Sequence, residues 1–223
     1  MSYLKDKILV IAPHHDDEIL GCGGFIKKSV DSSNSVTILF ITGGWSGVKE
    51  KNMSAQEKIK IREGEAKRAN GILGVKKLIF LRKEDRAIYA DKKLLLDIVR
   101  TIQKIQPQIV LCPHKDDADF EHKIINKLTK EAIWLAREGN LVNDLSAAKG
   151  LNKILFYEVW TPILKPNFYV NITDQIDTKN LALMQYKSQL QYRSYSDMMV
   201  GLSMFRGGLK GYKYAEAFVE QKI

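Results

Sequence analysis

Residues 8–24 read I-L-V-I-A-P-H-H-D-D-E-I-L-G-C-G-G, and this stretch decides the fold. Ile8 to Ala12 is a short apolar run rich in β-branched residues, about the length of a buried strand. Pro13, His14, His15, Asp16, Asp17 and Glu18 follow it. The three acids begin a helix, where the macrodipole favours negative charge. A buried strand, a polar turn and a helix make the opening half of a βαβ unit.

Three more runs of the same kind lie downstream: Val36 to Ile41, Leu78 to Leu81 and Ile109 to Cys112. Helical periodicity fills the gaps between them. Ile59, Ala66, Ala69 and Leu73 share one face, as do Leu95, Ile98, Val99, Ile102 and Ile105, and a later helix carries Ile125, Leu128, Ala132 and Leu135. Strands alternating with such helices, joined by right-handed crossovers, predict a parallel sheet covered on both faces. The expected class is α/β, a three-layer Rossmann-like fold with a mostly parallel central sheet and its core in residues 1–137. After Glu138 the pattern loosens through a polar stretch. Two further strands are expected at Ile154 to Trp160 and Phe168 to Ile172, with Asp174 capping a last helix that runs toward Tyr192. Phe205 to Gly211, with three glycines, reads as a loop. Residues 138–223 are expected to complete the same domain, so that 1–223 is one unit.

Composition narrows the class. With 223 residues, 45% hydrophobic and 27% charged, the chain has the makeup of a self-folding globular domain. The two cysteines, Cys22 and Cys112, lie in or beside apolar runs, which argues against a disulfide framework and for a reducing compartment. Met1 to Lys7 is polar and leads into an apolar run too short for a signal-peptide core. No stretch approaches the roughly 18 apolar residues of a membrane span. A cytoplasmic protein without stable membrane insertion is expected. Thirty-five Lys and Arg against 26 Asp and Glu give a net charge of +9, which favours anionic partners. The lysines are scattered and not interleaved with aromatics, so a solvated surface is expected rather than a nucleic-acid interface.

In an open parallel sheet the polar loops after the strands emerge at one edge, where ligands bind. The four histidines of the chain, His14, His15, His114 and His122, all lie in two of those loops. His14 and Asp17 can aim at one point across a strand-to-helix turn, and His122 can add a third ligand. Two nitrogens and one oxygen suit zinc with a fourth position open, the pattern of catalytic sites. Such an ion would lower the pKa of a bound water toward about 7. Asp16, beside Asp17, is placed to take the water's proton and return it to a leaving group. Acids at a helix start are ordinary caps when they stand alone; here they are matched by a second histidine and acid cluster. His15 is read as occupying the turn. Gly21, Gly23 and Gly24 follow the acids, which would repel a pyrophosphate, and are read as allowing close approach of helix to sheet.

The Ala12 to Gly24 segment resembles the signature of the LmbE/PIG-L-like zinc-dependent de-N-acetylases, usually A-H-P-D-D-E, with His14 matching the histidine and His15 standing where proline is common. Arg62 to Val75 (R-E-G-E-A-K-R-A-N-G-I-L-G-V) is similar to the family's Arg-x-x-Glu helix. Asp116 to His122 is similar to its second metal motif, typically ending H-P-D-H, and Tyr214 to Phe218 (Y-A-E-A-F) resembles its closing segment. The resemblance implies zinc ligation by His14, Asp17 and His122, Asp16 as general base, Arg62 binding the substrate, an anionic group on it being one option, and Asp85 binding sugar hydroxyls. One departure stands out. The family's second motif begins with a histidine held to stabilise the tetrahedral oxyanion, where this chain has Asp119, and Glu121 replaces the usual aspartate. An ionised Asp119 would repel an oxyanion. The alternatives are that Asp119 is protonated, that His114, Lys115 or the metal supplies the positive charge, or that Asp119 contacts sugar hydroxyls. Trp45, in a glycine-rich loop at the same edge, is read as packing, with stacking on a sugar face as the alternative.

The clusters and the resemblance together predict a zinc hydrolase that removes the acetyl group of an N-acetylated amino sugar of the N-acetylglucosamine type. The expected partner is a small amino-sugar substrate, with an anionic one allowed by the charge, and the resemblance allows a homo-oligomer. The rivals are a non-catalytic zinc- or sugar-binding protein on the same fold, suggested by Asp119, and a nucleotide-binding transferase.

Overall fold

The computed structural model describes residues 5–139, 145–191 and 194–223. Met1 to Leu4, the centre of the polar stretch at 140–144 and the Tyr192 end of the expected last helix lie outside the described residues.

The strands are β1 (Lys7–Ala12), β2 (Ser35–Thr42), β3 (Lys77–Lys83), β4 (Ile109–Pro113), β5 (Lys153–Tyr157), β6 (Phe168–Asn171) and β7 (Ala215–Lys222). They form one sheet in the order β3-β2-β1-β4-β5-β7-β6. The pairings from β3 through β5 are parallel, and β7 runs antiparallel to both β5 and β6. The sheet is therefore the mostly parallel one expected, with the antiparallel β7 added. The helices are α1 (Asp17–Asp31), α2 (Ala55–Leu73), α3 (Lys92–Ile105), α4 (Phe120–Glu138), α5 (Ile176–Leu183), α6 (Lys187–Leu190) and α7 (Tyr195–Gly208).

Alternation along the central strands makes the three layers. Ile8, Val10 and Ala12 face a core shared with α1, α2, α5 and α7, while Leu9 and Ile11 face a second core built with α3 and α4. The chain leaves β1 toward β2 on one side and places β4 on the other, so the strand order reverses between β1 and β4. The turns after these two strands part there and leave a crevice at the carboxyl edge.

Three local expectations need correction. The last helix is broken into α5 and α6, and α5 starts after Gln175 without a side-chain cap, so Asp174 does not cap it. Phe205 to Gly208 are helical and only the residues beyond them form the turn, because Met199, Ser203, Arg206 and Gly207 supply a buried stripe that outweighs the glycine pair. The expected strand Ile154 to Trp160 ends at Tyr157, which frees Trp160 for the edge loop.

Helix α1 is not regular. Cys22 has φ −149°, a break that frees N–H groups in mid-helix. Glu216 of β7 takes two of them, from Gly24 and Phe25, at 2.7 Å each. Lys179 of α5 pairs with Glu216 at 2.7 Å and donates to the Leu20 carbonyl at 3.0 Å. The Y-A-E-A-F segment thus acts on the opening motif by holding the helix that begins with it.

Close packing at the glycines of α1 is as expected. A Cβ on Gly21 would lie 2.3 Å from a ring carbon of Tyr157 and 2.7 Å from the Glu158 carbonyl, whereas a Cβ on Gly71 of α2 meets nothing within 4 Å. Gly21→Ala is expected to destabilise the fold by about 1–3 kcal/mol through overpacking. Gly71→Ala is expected to stabilise it by about 0.4–1 kcal/mol through the unfolded state. Urea unfolding of the two variants beside the parent measures both.

Candidate metal centre

The β1 turn and the start of α4 bring three donor atoms together. His14 Nδ1 lies 3.3 Å from Asp17 Oδ2 and 3.3 Å from His122 Nε2, and His122 Nε2 lies 3.2 Å from Asp17 Oδ2. The triangle is nearly equilateral. An ion with bonds of about 2.0–2.1 Å at tetrahedral angles needs its donors roughly 3.3–3.4 Å apart. The donor set fits a zinc-like cation on a second ground: Asp17 Oδ1 is buried with no hydrogen-bond partner among the described residues.

The outer atoms of both imidazoles meet carboxylates. His14 Nε2 is 2.6 Å from Glu121 Oε2, and His122 Nδ1 is 3.2 Å from Asp117 Oδ1. Carboxylates behind metal-binding histidines fix ring orientation and raise ligand basicity. Burial alone would lower both histidine pKa values, but Asp17 and Glu121 push His14 up to about 10, and Asp17 and Asp117 push His122 up to about 9. Asp17 would be raised by burial, and His122 and His14 hold it well below the usual carboxylate range. The cluster holds more negative than positive charge and calls for a cation. His14, Asp119 and Glu121 also lie within 4.8 Å of one another. That set is spent otherwise: Glu121 holds His14 and the Ile88 N–H at 3.2 Å, and Asp119 pairs with Arg86 at 2.6 Å.

Asp16 precedes α1 in a left-handed backbone, φ 122°, a conformation a non-glycine residue keeps only when its surroundings hold it. Glu18 accepts the Asp16 N–H at 3.1 Å, and is itself held by Asn70 at 2.8 Å and by the Tyr186 hydroxyl. Burial pushes Asp16 up to about 6, with Asp17 adding and Arg62 opposing. Arg62 is buried. Its Nη2 donates to Asp16 at 3.3 Å and to the His15 carbonyl, and its Nη1 donates to Glu65 at 3.1 Å and Ser188 at 3.2 Å. The terminal nitrogens of Arg62 therefore clamp Asp16, while its buried Nε has no hydrogen-bond partner among the described residues. His15 fills the turn, stacked 4.7 Å from Phe40 and 5.6 Å from Phe80, and burial holds its pKa well below the ordinary value.

A hollow of about 120 Å³ opens over the cluster, lined by His14, Asp16 and Asp17, by Arg86 and Asp119, and by Trp160 and Tyr195. Asp85 lines it too, but its carboxylate accepts the Gly44 and Ser46 N–H groups, each at 2.7 Å, and so shapes the loop. Gly44 has φ 70°, and a Cβ there would lie 2.7 Å from His15 Nδ1. Trp45 is half-buried in the same loop and does not line the hollow. Asp119 is ionised: burial would raise its pKa, and the Arg86 hydrogen bond with the two histidines lowers it.

His114 does not join this hollow. Its Nε2 meets the Thr161 carbonyl at 2.7 Å, because the Trp160–Thr161 backbone is tied to the same turn by Asp117, which accepts both N–H groups, at 2.9 and 3.3 Å. His114 lines a larger hollow of about 720 Å³ beyond that loop, among Phe156, Ile163 and Leu164. Size does not identify the site here, since the acid and histidine constellation sits in the smaller hollow. Sequence reasoning missed Trp160, Tyr195, Gln189 and Arg86 as lining residues. Only Arg86 carried a signal, its place in the loop after the third strand.

The family model described as PIG-L: GlcNAc-PI de-N-acetylase matches residues 9–133. A diacetylchitobiose deacetylase of Thermococcus kodakarensis is 31% identical over 220 residues, 94% of this chain and 81% of that protein. A probable N-acetyl-alpha-D-glucosaminyl L-malate deacetylase 2 of Bacillus cereus is 25% identical over 199 residues, 84% of this chain and 86% of that one. The structure of an N,N'-diacetylchitobiose deacetylase from Pyrococcus horikoshii superposes with a TM-score of 0.90 at 27% identity, over 97% of this chain and 84% of that chain.

The triangle makes a prediction about metal content. Zinc titration is expected to give one site in the wild type and none in His122→Ala. Asp117→Asn, which loosens His122 without removing a donor, is expected to weaken zinc affinity roughly 10–100-fold.

Proposed function

Because the chain belongs to the PIG-L family of de-N-acetylases, we propose that it is a metal-dependent hydrolase that removes the acetyl group from an N-acetylated amino sugar of the N-acetylglucosamine type. The observation that carries this reading is the triangle of His14, Asp17 and His122, with the carboxyl of Asp16 in the same hollow. Zinc is the ion the donor set fits best, held by these three residues. When bound, it supplies Lewis acidity to water and to the carbonyl beside it.

The residues of the chain do the rest. Asp16, anchored by Arg62 and by the Glu18 contact to its backbone, accepts a proton from the attacking water. Water oxygen bonds to the acetyl carbon, and the carbonyl π pair moves onto the acetyl oxygen. As the oxygen's pair re-forms the carbonyl and the carbon–nitrogen bond breaks, Asp16 returns the proton to the nitrogen, leaving a free amine and acetic acid, which loses its remaining proton to solvent as acetate. Glu121 and Asp117 keep the imidazoles aimed through the cycle.

The hollow suits a sugar ring. Trp160 and Tyr195, with ring centroids 5.7 Å apart, give the hollow an aromatic part of its wall. Such a wall takes the apolar face of a pyranose while polar groups take its hydroxyls. The diacetylchitobiose deacetylase relatives make short N-acetylglucosamine oligomers the first substrates to test.

Asp16→Asn is expected to keep its zinc and lose about 10²–10⁴-fold in kcat for acetate release from N,N'-diacetylchitobiose. A variant that retains full turnover with a full complement of zinc would rule out Asp16 as the base.

A further inference from the structure

Acyl transfer needs a positive group where the carbonyl oxygen gains charge, and the wall of this hollow is rich in carboxylates. Asp16, Asp17, Asp85 and Asp119 all line it. Most N–H donors there are taken. Asp85 binds those of Gly44 and Ser46, Asp117 binds that of Trp160, and both terminal nitrogens of Arg62 are engaged by Glu65, Ser188, Asp16 and the His15 carbonyl, leaving only its buried Nε without a partner among the described residues. Arg86 is different. Its Nη1 donates to Asp119 at 2.6 Å, and its other nitrogens have no partner among the described residues.

The position of Arg86 is built. Its backbone is left-handed, φ 61°, which a non-glycine residue holds only under constraint. The constraint comes from both sides: Asp85, the preceding residue, is tied to the Gly44–Ser46 loop, and Ile88, two residues on, donates to Glu121, the carboxylate that also holds His14. The Arg86 side chain is 63% exposed and that of Asp119 only 9%. An ion pair so exposed on one side adds little stability. What it does is keep a guanidinium at the wall of the hollow and offset the charge of Asp119.

We propose that Arg86 is a catalytic residue, donating an N–H to the acetyl oxygen as water adds to the carbonyl carbon, with Asp119 as its positioning residue. This rests on the deacetylase reading above. Arg86 makes that contact more strongly as the oxygen becomes an anion, so its effect falls on kcat rather than KM. No bond to Arg86 forms or breaks; the proton still passes from water to Asp16 to the leaving nitrogen.

The experiment compares zinc-loaded wild type and Arg86→Ala for acetate release from N,N'-diacetylchitobiose and from an N-acetylglucosamine conjugate bearing a carboxylate. Binding of a methylphosphonamidate analogue of the acetylated sugar, a tetrahedral anion, is measured by calorimetry on the same two proteins. The expected result is a kcat lowered about 10²–10³-fold on both substrates with KM little changed, zinc content intact, and analogue affinity reduced by a similar factor. Unchanged kcat in Arg86→Ala overturns the proposal. So does a rise in KM confined to the carboxylate-bearing substrate, which would make Arg86 a reader of substrate charge. A wild type that releases no acetate from either sugar overturns the deacetylase reading, and the proposal with it.

Discussion

The constraint that the rest of the structure serves is the close approach of three donor atoms, His14 Nδ1, Asp17 Oδ2 and His122 Nε2, at 3.2–3.3 Å. Two imidazole nitrogens converge there on a buried carboxylate, one of whose oxygens has no hydrogen-bond partner among the described residues. Such a contact persists only if the backbone on both sides is over-determined. The reversal of strand order between β1 and β4 brings the two turns together. The break in α1, satisfied by Glu216 and Lys179, then sets how the first turn of that helix meets the sheet.

Around this contact nearly every buried acid has a structural partner. Glu121 joins His14 to the loop of Arg86, Asp117 joins His122 to the Trp160 loop, Glu18 holds the strained Asp16, and Glu65 holds Arg62 and Ser188. Buried ion pairs of this kind seldom repay their desolvation, so they are a poor source of net stability. Their effect here is geometric: each carboxylate ties a pocket residue to a different element, and small shifts of one loop are resisted by the others. Preorganisation of this sort is what electrostatic catalysis requires.

The parts of this arrangement legible in the sequence were those written in local pattern. Apolar runs with β-branched residues gave β1 to β4 nearly to their ends, and confinement of the histidines to two turns pointed to the crevice where His14, Asp17 and His122 meet. What stayed hidden depends on contacts between distant segments. The resemblance implied only that Arg62 binds substrate, and nothing local shows that Ser188, Glu65, Asp16 and the His15 carbonyl surround it. His114 sits in the right turn by sequence, yet its hydrogen bond to Thr161 turns it to the far side of the loop. Strand β7 escaped notice because its partners, β5 and β6, lie some 45 to 70 residues earlier in the chain.

The charge of the molecule and the charge of the pocket point in opposite directions, and the pocket decides. The chain carries +9 overall, from lysines such as Lys49, Lys51, Lys76, Lys92, Lys115 and Lys165 that are exposed to solvent. Their field is screened over a Debye length of about 8 Å at physiological salt, so it bears on encounter more than on recognition. Inside the hollow, groups of both signs line the wall: the carboxylates of Asp16, Asp17, Asp85 and Asp119, and the guanidinium groups of Arg62 and Arg86. An anionic group entering the hollow would meet the exposed guanidinium of Arg86 and a cationic one the carboxylates, beside the rings of Trp160 and Tyr195. The basic composition describes the surface of this protein, and the hollow carries a charge pattern of its own.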